Sequence, residues 1–139
     1  MIVVDTSIWS QAFRRSRREA LVATLPAVRV LEQLITEHQP IAMPGIVFQE
    51  LLSGVRTKAQ FDRLHTDLGT FPLLLADRAD HVEAARIVNA CMSVGIAVAS
   101  IDALIAAITI LRGGYLLTSD SDFERIAECS ELHVRLVEQ

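Results

Sequence analysis

The chain has 139 residues and a formal net charge of −4, from 13 Lys and Arg against 17 Asp and Glu, a balance that is not the usual footprint of a nucleic-acid binder. Apolar residues make up 51% and charged ones 22%, which excludes a disordered chain; aromatics are only 5%, so Leu, Ile, Val and Ala must fill the core. This length suits one domain, residues 1–139, with a core that needs no disulfide or metal staple.

In chain order, Ile2-Val3-Val4 is an uninterrupted apolar run, as expected of a strand buried on both faces. The start carries an acid at once and lacks a basic n-region, so no secretory signal is expected and the protein is assigned to the cytoplasm. A short helix is predicted from Ile8 to Phe13. From Ala20 to His38, Leu21, Leu25, Val28, Leu31 and Ile35 fall at helical spacing, and Pro26 should either kink this stretch or open a separate helix. Ile41-Ala42-Met43 is a second strand. Pro44 suits the first position of a helix that runs to Leu52 and stops at Gly54.

Further helices are predicted over Lys58 to Leu68, closed by Gly69, and over Ala79 to Met92. Phe71 to Leu75 reads as a strand that Pro72 assigns to an edge. Val94 to Leu111 is long and apolar enough to suggest a membrane span. Asp102 near its middle would cost roughly 2.5–3.5 kcal/mol there, so the expectation is a loop followed by a fully buried helix, capped by Ser100 and stopped by Gly113-Gly114. Tyr115-Leu116-Leu117 is a strand, Ser121 to Cys129 a short helix, and His133 to Val137 a last strand. Strands alternating with helices give an α/β fold with a mostly parallel sheet. Cys91 and Cys129 are far apart and form no C-x-x-C pair; they read as reduced, buried thiols of a cytosolic protein.

Acids interrupt apolar context at four places: Asp5 after the first strand, Glu50 within Ile46 to Leu52, Asp102 at the head of Ala103 to Ile108, and Asp120 with Asp122 after Tyr115 to Leu117. In open parallel sheets, ligands bind beyond the carboxyl ends of the strands, where Asp5 and Asp120 fall. Helix ends can bring Asp102 and Glu50 to the same edge. Clustered carboxylates repel unless protonated or bound to cations, and oxygen-only ligands suit Mg²⁺ or Mn²⁺ rather than zinc. Such a cation polarises a phosphodiester and activates an attacking water, and it reverses the local field of an acidic protein. Each acid also has a plainer explanation. Asp102 suits a helix's first turn, Asp120 and Asp122 suit a turn and an N-cap, Glu50 could face solvent, and Asp5 could accept bonds from Thr6 and Ser7.

At these residues the sequence resembles the PIN-domain family. Val3-Val4-Asp5-Thr6-Ser7-Ile8-Trp9 is similar to its opening strand and hydroxyl-bearing turn, and Gln49-Glu50-Leu51 to its second acidic motif. Ser100-Ile101-Asp102-Ala103-Leu104-Ile105-Ala106-Ala107 resembles the third, and Leu117-Thr118-Ser119-Asp120-Ser121-Asp122-Phe123 the closing T-x-D-x-D-F. The resemblance covers the whole chain in order. It implies an α/β/α sandwich that binds Mg²⁺ or Mn²⁺ and cuts single-stranded or looped RNA. Asp5, Glu50, Asp102 and Asp120 carry over as the catalytic acids; Asp5, Asp102, Asp120 and Asp122 carry over as metal ligands. Thr6 or Ser7 would orient a ligand or phosphate, and Glu50 would hold or deprotonate the attacking water. The size is similar to that of bacterial VapC toxins, which implies a small antitoxin as partner; the apolar surplus adds a homodimer.

Arg14-Arg15-Ser16-Arg17-Arg18 is the densest basic run, with Arg14 and Arg15 as candidate RNA-phosphate contacts or, more plainly, a solvated turn. The four histidines have no ligand spacing, and no P-loop or dinucleotide fingerprint is present. Two rival functions remain. One is a PIN-like scaffold that binds RNA or protein without cutting. The other is a phosphatase of the haloacid-dehalogenase type, which needs an early D-x-D where this chain has Ser7.

Overall fold

The computed structural model describes residues 1–14 and 25–138, with the backbone alone at Arg14. Strand β1 (Ile2–Val4) is buried at every position and lies at the centre of a five-stranded sheet. The other strands are β2 (Ile41–Pro44), β3 (Leu73–Leu74), β4 (Tyr115–Thr118) and β5 (Val134–Leu136), in the order β3-β2-β1-β4-β5. Every pairing is parallel, with Ile2 opposite both Ile41 and Tyr115. The chain builds outward from β1 to β2 and β3, then returns to lay β4 on the other side. The gap between β1 and β4 is therefore the switch point of the sheet, and its carboxyl edge is the expected ligand crevice.

Helix α1 (Thr6–Trp9) follows β1 directly and continues as a π-helical stretch, Ser10–Arg14. This helix starts two residues before the predicted Ile8, because Asp5 has extended backbone and its carboxylate caps Ser7 N. Trp9 is fully buried; its indole N–H donates to Val4 O at 3.0 Å and its ring meets Phe71 edge-on, centroids 4.6 Å apart. Helix α2 (Pro26–Thr36) is opened by Pro26, so the proline begins a helix rather than kinking one. Pro44 closes β2 and precedes α3 (Gly45–Leu52), which starts one residue later than expected. The helices α4 (Lys58–Leu68) and α5 (Arg78–Ser93) follow the expected spans closely. Between them, β3 is two residues at the sheet edge, shorter than the predicted Phe71 to Leu75.

Helix α6 (Ser100–Leu111) departs from expectation in two ways. Its N-cap is Ala99, with no side-chain bond, and Ser100 is already helical. It is not fully buried either: Ala103 and Ile105 to Thr109 are inside, but Ile101 and Leu111 are 41% and 46% exposed. The apolar run gave no sign that the two ends are exposed while the middle is buried. Gly113 turns the chain with φ 66°, and Gly114 passes so close to the carbonyl of Met1 that no side chain would fit. Helix α7 (Asp122–Glu128) leads into β5.

The cysteines, expected to be reduced, correct another expectation. Cys91 on α5 and Cys129 at the C-cap of α7 form a disulfide, with Cα atoms 5.3 Å apart. Sequence distance gave no hint that these helix ends adjoin. A second long-range tie joins α5 to the end of α6: Asp80, fully buried, accepts from both terminal guanidinium nitrogens of Arg112 and also bonds the amide of Asp77. Among the described residues, no buried side-chain nitrogen or oxygen lacks a hydrogen-bond partner.

Candidate active site

Val4 lies opposite Leu117, so the next residues along, Asp5 and Thr118, emerge side by side at the carboxyl edge. The Asp5 amide donates to Leu117 O at 2.9 Å, and the residue is 5% exposed. Ser7 Oγ and Thr118 Oγ1 both donate to Asp5 Oδ2 at 2.8 Å. Burial pushes the Asp5 carboxyl above its ordinary value, while the bonds from Ser7 and Thr118 pull against that rise.

Beyond Thr118 the chain turns through Ser119 and Asp120 into α7. The Asp120 amide donates to Thr118 Oγ1 at 3.0 Å, and the Asp122 amide to Asp120 Oδ1 at 2.9 Å. Asp102 projects from the first turn of α6, where the helix dipole favours an acid. Carboxylate oxygens of Asp102, Asp120 and Asp122 lie within 4.8 Å of one another. Among the described residues no other group of His, Cys, Asp or Glu is so arranged. Burial pushes the Asp102 carboxyl up to about 6, and the charges of Asp5, Asp120, Asp122 and Glu50 push the same way. Such a site is short of positive charge.

Glu50 comes from α3, which packs against α1. Its Oε1 accepts the hydroxyl of Thr6 at 3.0 Å, so the turn that bears Asp5 also fixes Glu50. Thus all five acids picked out in the sequence influence one edge. Asp102, Asp120 and Asp122 form the tight trio; Asp5 stands beside it with one oxygen committed to hydroxyls, and Glu50 is held through Thr6. Arg15, Arg17 and Arg18 lie outside the described residues, as does the side chain of Arg14.

Three polar residues at this edge had been given no role of their own. Thr118, a member of the closing motif, bridges Asp5 and the Asp120 amide. Ser119 donates its amide to Ser7 Oγ at 2.9 Å, and Gln11 Nε2 donates to Ser7 O at 2.9 Å and to Ser119 Oγ at 3.2 Å. The sequence offered no distinct signal for Gln11, which follows another polar residue, Ser10, in the predicted helix Ile8 to Phe13. The phosphatase rival loses its footing here, because residue 7 supplies a hydroxyl that serves Asp5 and no second carboxylate.

The PIN domain model matches residues 2–128. A VapC ribonuclease of Mycobacterium bovis and ribonuclease VapC11 of Mycobacterium tuberculosis are each 36% identical to this chain over 95% of its length and 96% of theirs. Among solved structures, VapBC2 from Rickettsia felis, bound to a DNA fragment from its promoter, aligns with TM-score 0.78 at 20% identity, covering 99% of this chain and all of that one. FitAcB from Neisseria gonorrhoeae aligns with TM-score 0.74 at 23% identity, over 96% of each chain. At those identities the structural likeness speaks for the fold, while the closer sequence relatives and the near-complete domain match speak for descent. The chain belongs to the PIN-domain family, among its VapC ribonucleases.

Proposed function

We propose that this protein is an endoribonuclease that depends on Mg²⁺ or Mn²⁺, cuts single-stranded or looped RNA, and acts as the toxin of a type II toxin–antitoxin pair. The observation that carries the reading is the trio Asp102, Asp120 and Asp122, with oxygens within 4.8 Å and Asp102 pushed up to about 6 by burial and by four neighbouring acids. Relatives at 36% identity are named ribonucleases, and the fold's neighbours include toxin–antitoxin complexes.

The residues fit a hard divalent cation. Every donor is a carboxylate oxygen, and the excess negative charge is what a divalent ion relieves. Asp102, Asp120 and Asp122 would hold it, with Asp5 contributing its other oxygen. The chemistry such a cation supplies when bound is polarisation of the phosphodiester and easier ionisation of water. The protein's own part is geometric and protonic. Ser7 and Thr118 orient the Asp5 carboxylate, Thr6 orients Glu50, and Glu50 accepts the proton of the water that attacks phosphorus, while one P–O ester bond breaks and the departing ribose oxygen takes a proton from solvent.

An RNA substrate, a small antitoxin and a second copy of the chain are the proposed partners. The homodimer draws support from the 51% apolar content and from Met92 and Val94, which are 64% and 65% exposed. No helix among the described residues is long and apolar enough to cross a membrane. The cytoplasm is the proposed place of action.

The test is cleavage of a mixed RNA pool by the purified chain with Mg²⁺, with Mn²⁺ and with chelator. Cation-dependent cutting that Asp102→Asn abolishes is the expected result. Cutting that persists in chelator, or in that variant, overturns the mechanism.

A further inference from the structure

We infer that Thr118 is a positioning residue: its buried hydroxyl, paired with that of Ser7, hangs the turn that bears Asp120 and leads into Asp122 on the carboxylate of Asp5. The inference rests on the reading of Asp102, Asp120 and Asp122 as a divalent-cation site.

The argument is a count of donors and acceptors. Thr118 is the last residue of β4 and is fully buried. A hydroxyl has one proton and two lone pairs, an ionised carboxylate only accepts, and a backbone N–H only donates. The direction of each bond is therefore fixed. Thr118 Oγ1 gives its proton to Asp5 Oδ2 at 2.8 Å and receives that of the Asp120 amide at 3.0 Å. Ser7 repeats the arrangement, donating to the same oxygen at 2.8 Å and accepting from the Ser119 amide at 2.9 Å. The two hydroxyl oxygens are 3.3 Å apart, with both protons committed to one carboxylate oxygen.

Two successive amides of the β4–α7 loop thus reach Asp5 through two hydroxyls. Charge at the end of each chain strengthens both of its bonds. The Asp122 amide bonds Asp120 Oδ1 at 2.9 Å, which hands the placement on to the next acid. Gln11 braces the outer side by bonding Ser119 Oγ and Ser7 O. The function lies in a hydroxyl that both gives and receives. Serine at 118 retains it. Valine, of nearly the same shape, leaves the Asp120 amide without its acceptor and Asp5 Oδ2 with one donor fewer.

The experiment titrates Mn²⁺ into wild type, Thr118→Val, Thr118→Ser, Ser7→Ala and Asp102→Asn, following free Mn²⁺ by electron paramagnetic resonance. RNA cleavage is measured alongside, and circular dichroism checks each fold. Thr118→Val should bind Mn²⁺ about 10-fold more weakly and cut correspondingly more slowly, with Thr118→Ser restoring both. Ser7→Ala should lose affinity in the same direction, and it carries the test if the valine variant does not fold. Wild-type affinity and cleavage in Thr118→Val, or in a folded Ser7→Ala, overturn the positioning role, as does a serine variant no better than valine. Asp102→Asn separates the two ideas: wild-type Mn²⁺ binding in that variant overturns the cation site itself.

Discussion

Thr6 and Glu50, 44 positions apart in the chain, are joined by a hydrogen bond of 3.0 Å from the threonine hydroxyl to Oε1. Thr6 follows Asp5 immediately, so one turn of chain sets the direction of two acids on different elements. If Glu50 takes the proton of the attacking water, Glu50→Gln should lower kcat by roughly 10²–10⁴-fold. Thr6→Val should lower it by about 10-fold with KM little changed, and the double variant should be no slower than Glu50→Gln alone. Single-turnover cleavage of a short RNA measures this; multiplicative losses in the double variant would mean that Thr6 does not act through Glu50.

At the proposed cation site, the acidity of Asp102 should make binding depend on pH. Its carboxyl is pushed up to about 6 from 3.8, first by burial and then by Asp5, Asp120, Asp122 and Glu50. Between these values the folded protein holds the Asp102 proton and the unfolded chain does not. This group therefore makes the cation-free protein less stable as pH rises through about 6 and more stable as it falls back. A bound cation needs the ionised form, so Mn²⁺ affinity should rise through the same window, with release of a proton, and level off above about pH 7. Calorimetry in buffers of different ionisation enthalpy reads the proton directly. Asp102→Asn should remove this group's share of the release.

Asp80 and Arg112 predict a stability effect apart from chemistry. Burial alone would raise the Asp80 carboxyl, but bonds from Arg112 and from the Asp77 backbone outweigh it and hold the group below its ordinary value. Arg112→Met keeps much of the stem and strands a buried carboxylate, which should cost about 3–5 kcal/mol in urea unfolding. The depressed value means that this contribution is present at neutral pH and is lost as pH falls below about 4. The gap between wild type and Arg112→Met should therefore narrow on acidification; a gap that stays constant would assign the loss to packing.

We propose that the arginine run, Arg14 to Arg18, supplies the positive charge that an acidic nuclease would need for phosphates. Arg14 closes the π-helical stretch that begins one residue after α1, so the run enters the chain close behind Asp5. Replacing Arg14 and Arg15 with Ala should weaken RNA binding at low salt and flatten the salt dependence by roughly one unit per lost contact. Mn²⁺ binding should be unchanged. A wild-type salt slope in the double variant would make the run a solvated turn.

Most of the elements were legible because burial leaves a local signature. Ile2-Val3-Val4 carries no polar residue because both of its faces are covered, and Asp5, Asp102 and Asp120 stood out because each breaks an apolar run. The PIN-like motifs gave those acids an order. What could not be read was contact between distant positions. Nothing near Cys91 announces Cys129, and nothing near Asp80 announces Arg112. Hydroxyls are still quieter: Thr118 fits a strand end whether or not it bonds Asp5, and Ser100 looked like a cap until the backbone of Ala99 took that place. Periodicity tells which residues turn inward, while the pairing of polar groups is decided by the three-dimensional arrangement alone.

The central place of β1 also sets a timetable. β1 can complete its pairing only with β4, and Asp5 meets Thr118 from 113 positions further along the chain. During synthesis at about 5–20 residues per second, several seconds pass between the appearance of Asp5 and that of Asp120. Parallel pairing over such a separation is slow in its own right. Were the trio a cation site, the growing chain would hold at most Asp102 of it through that interval, and a product broken off before β4 would lack Asp120 and Asp122 altogether. On the proposed function, harm waits until β4 and the acids beyond it are made.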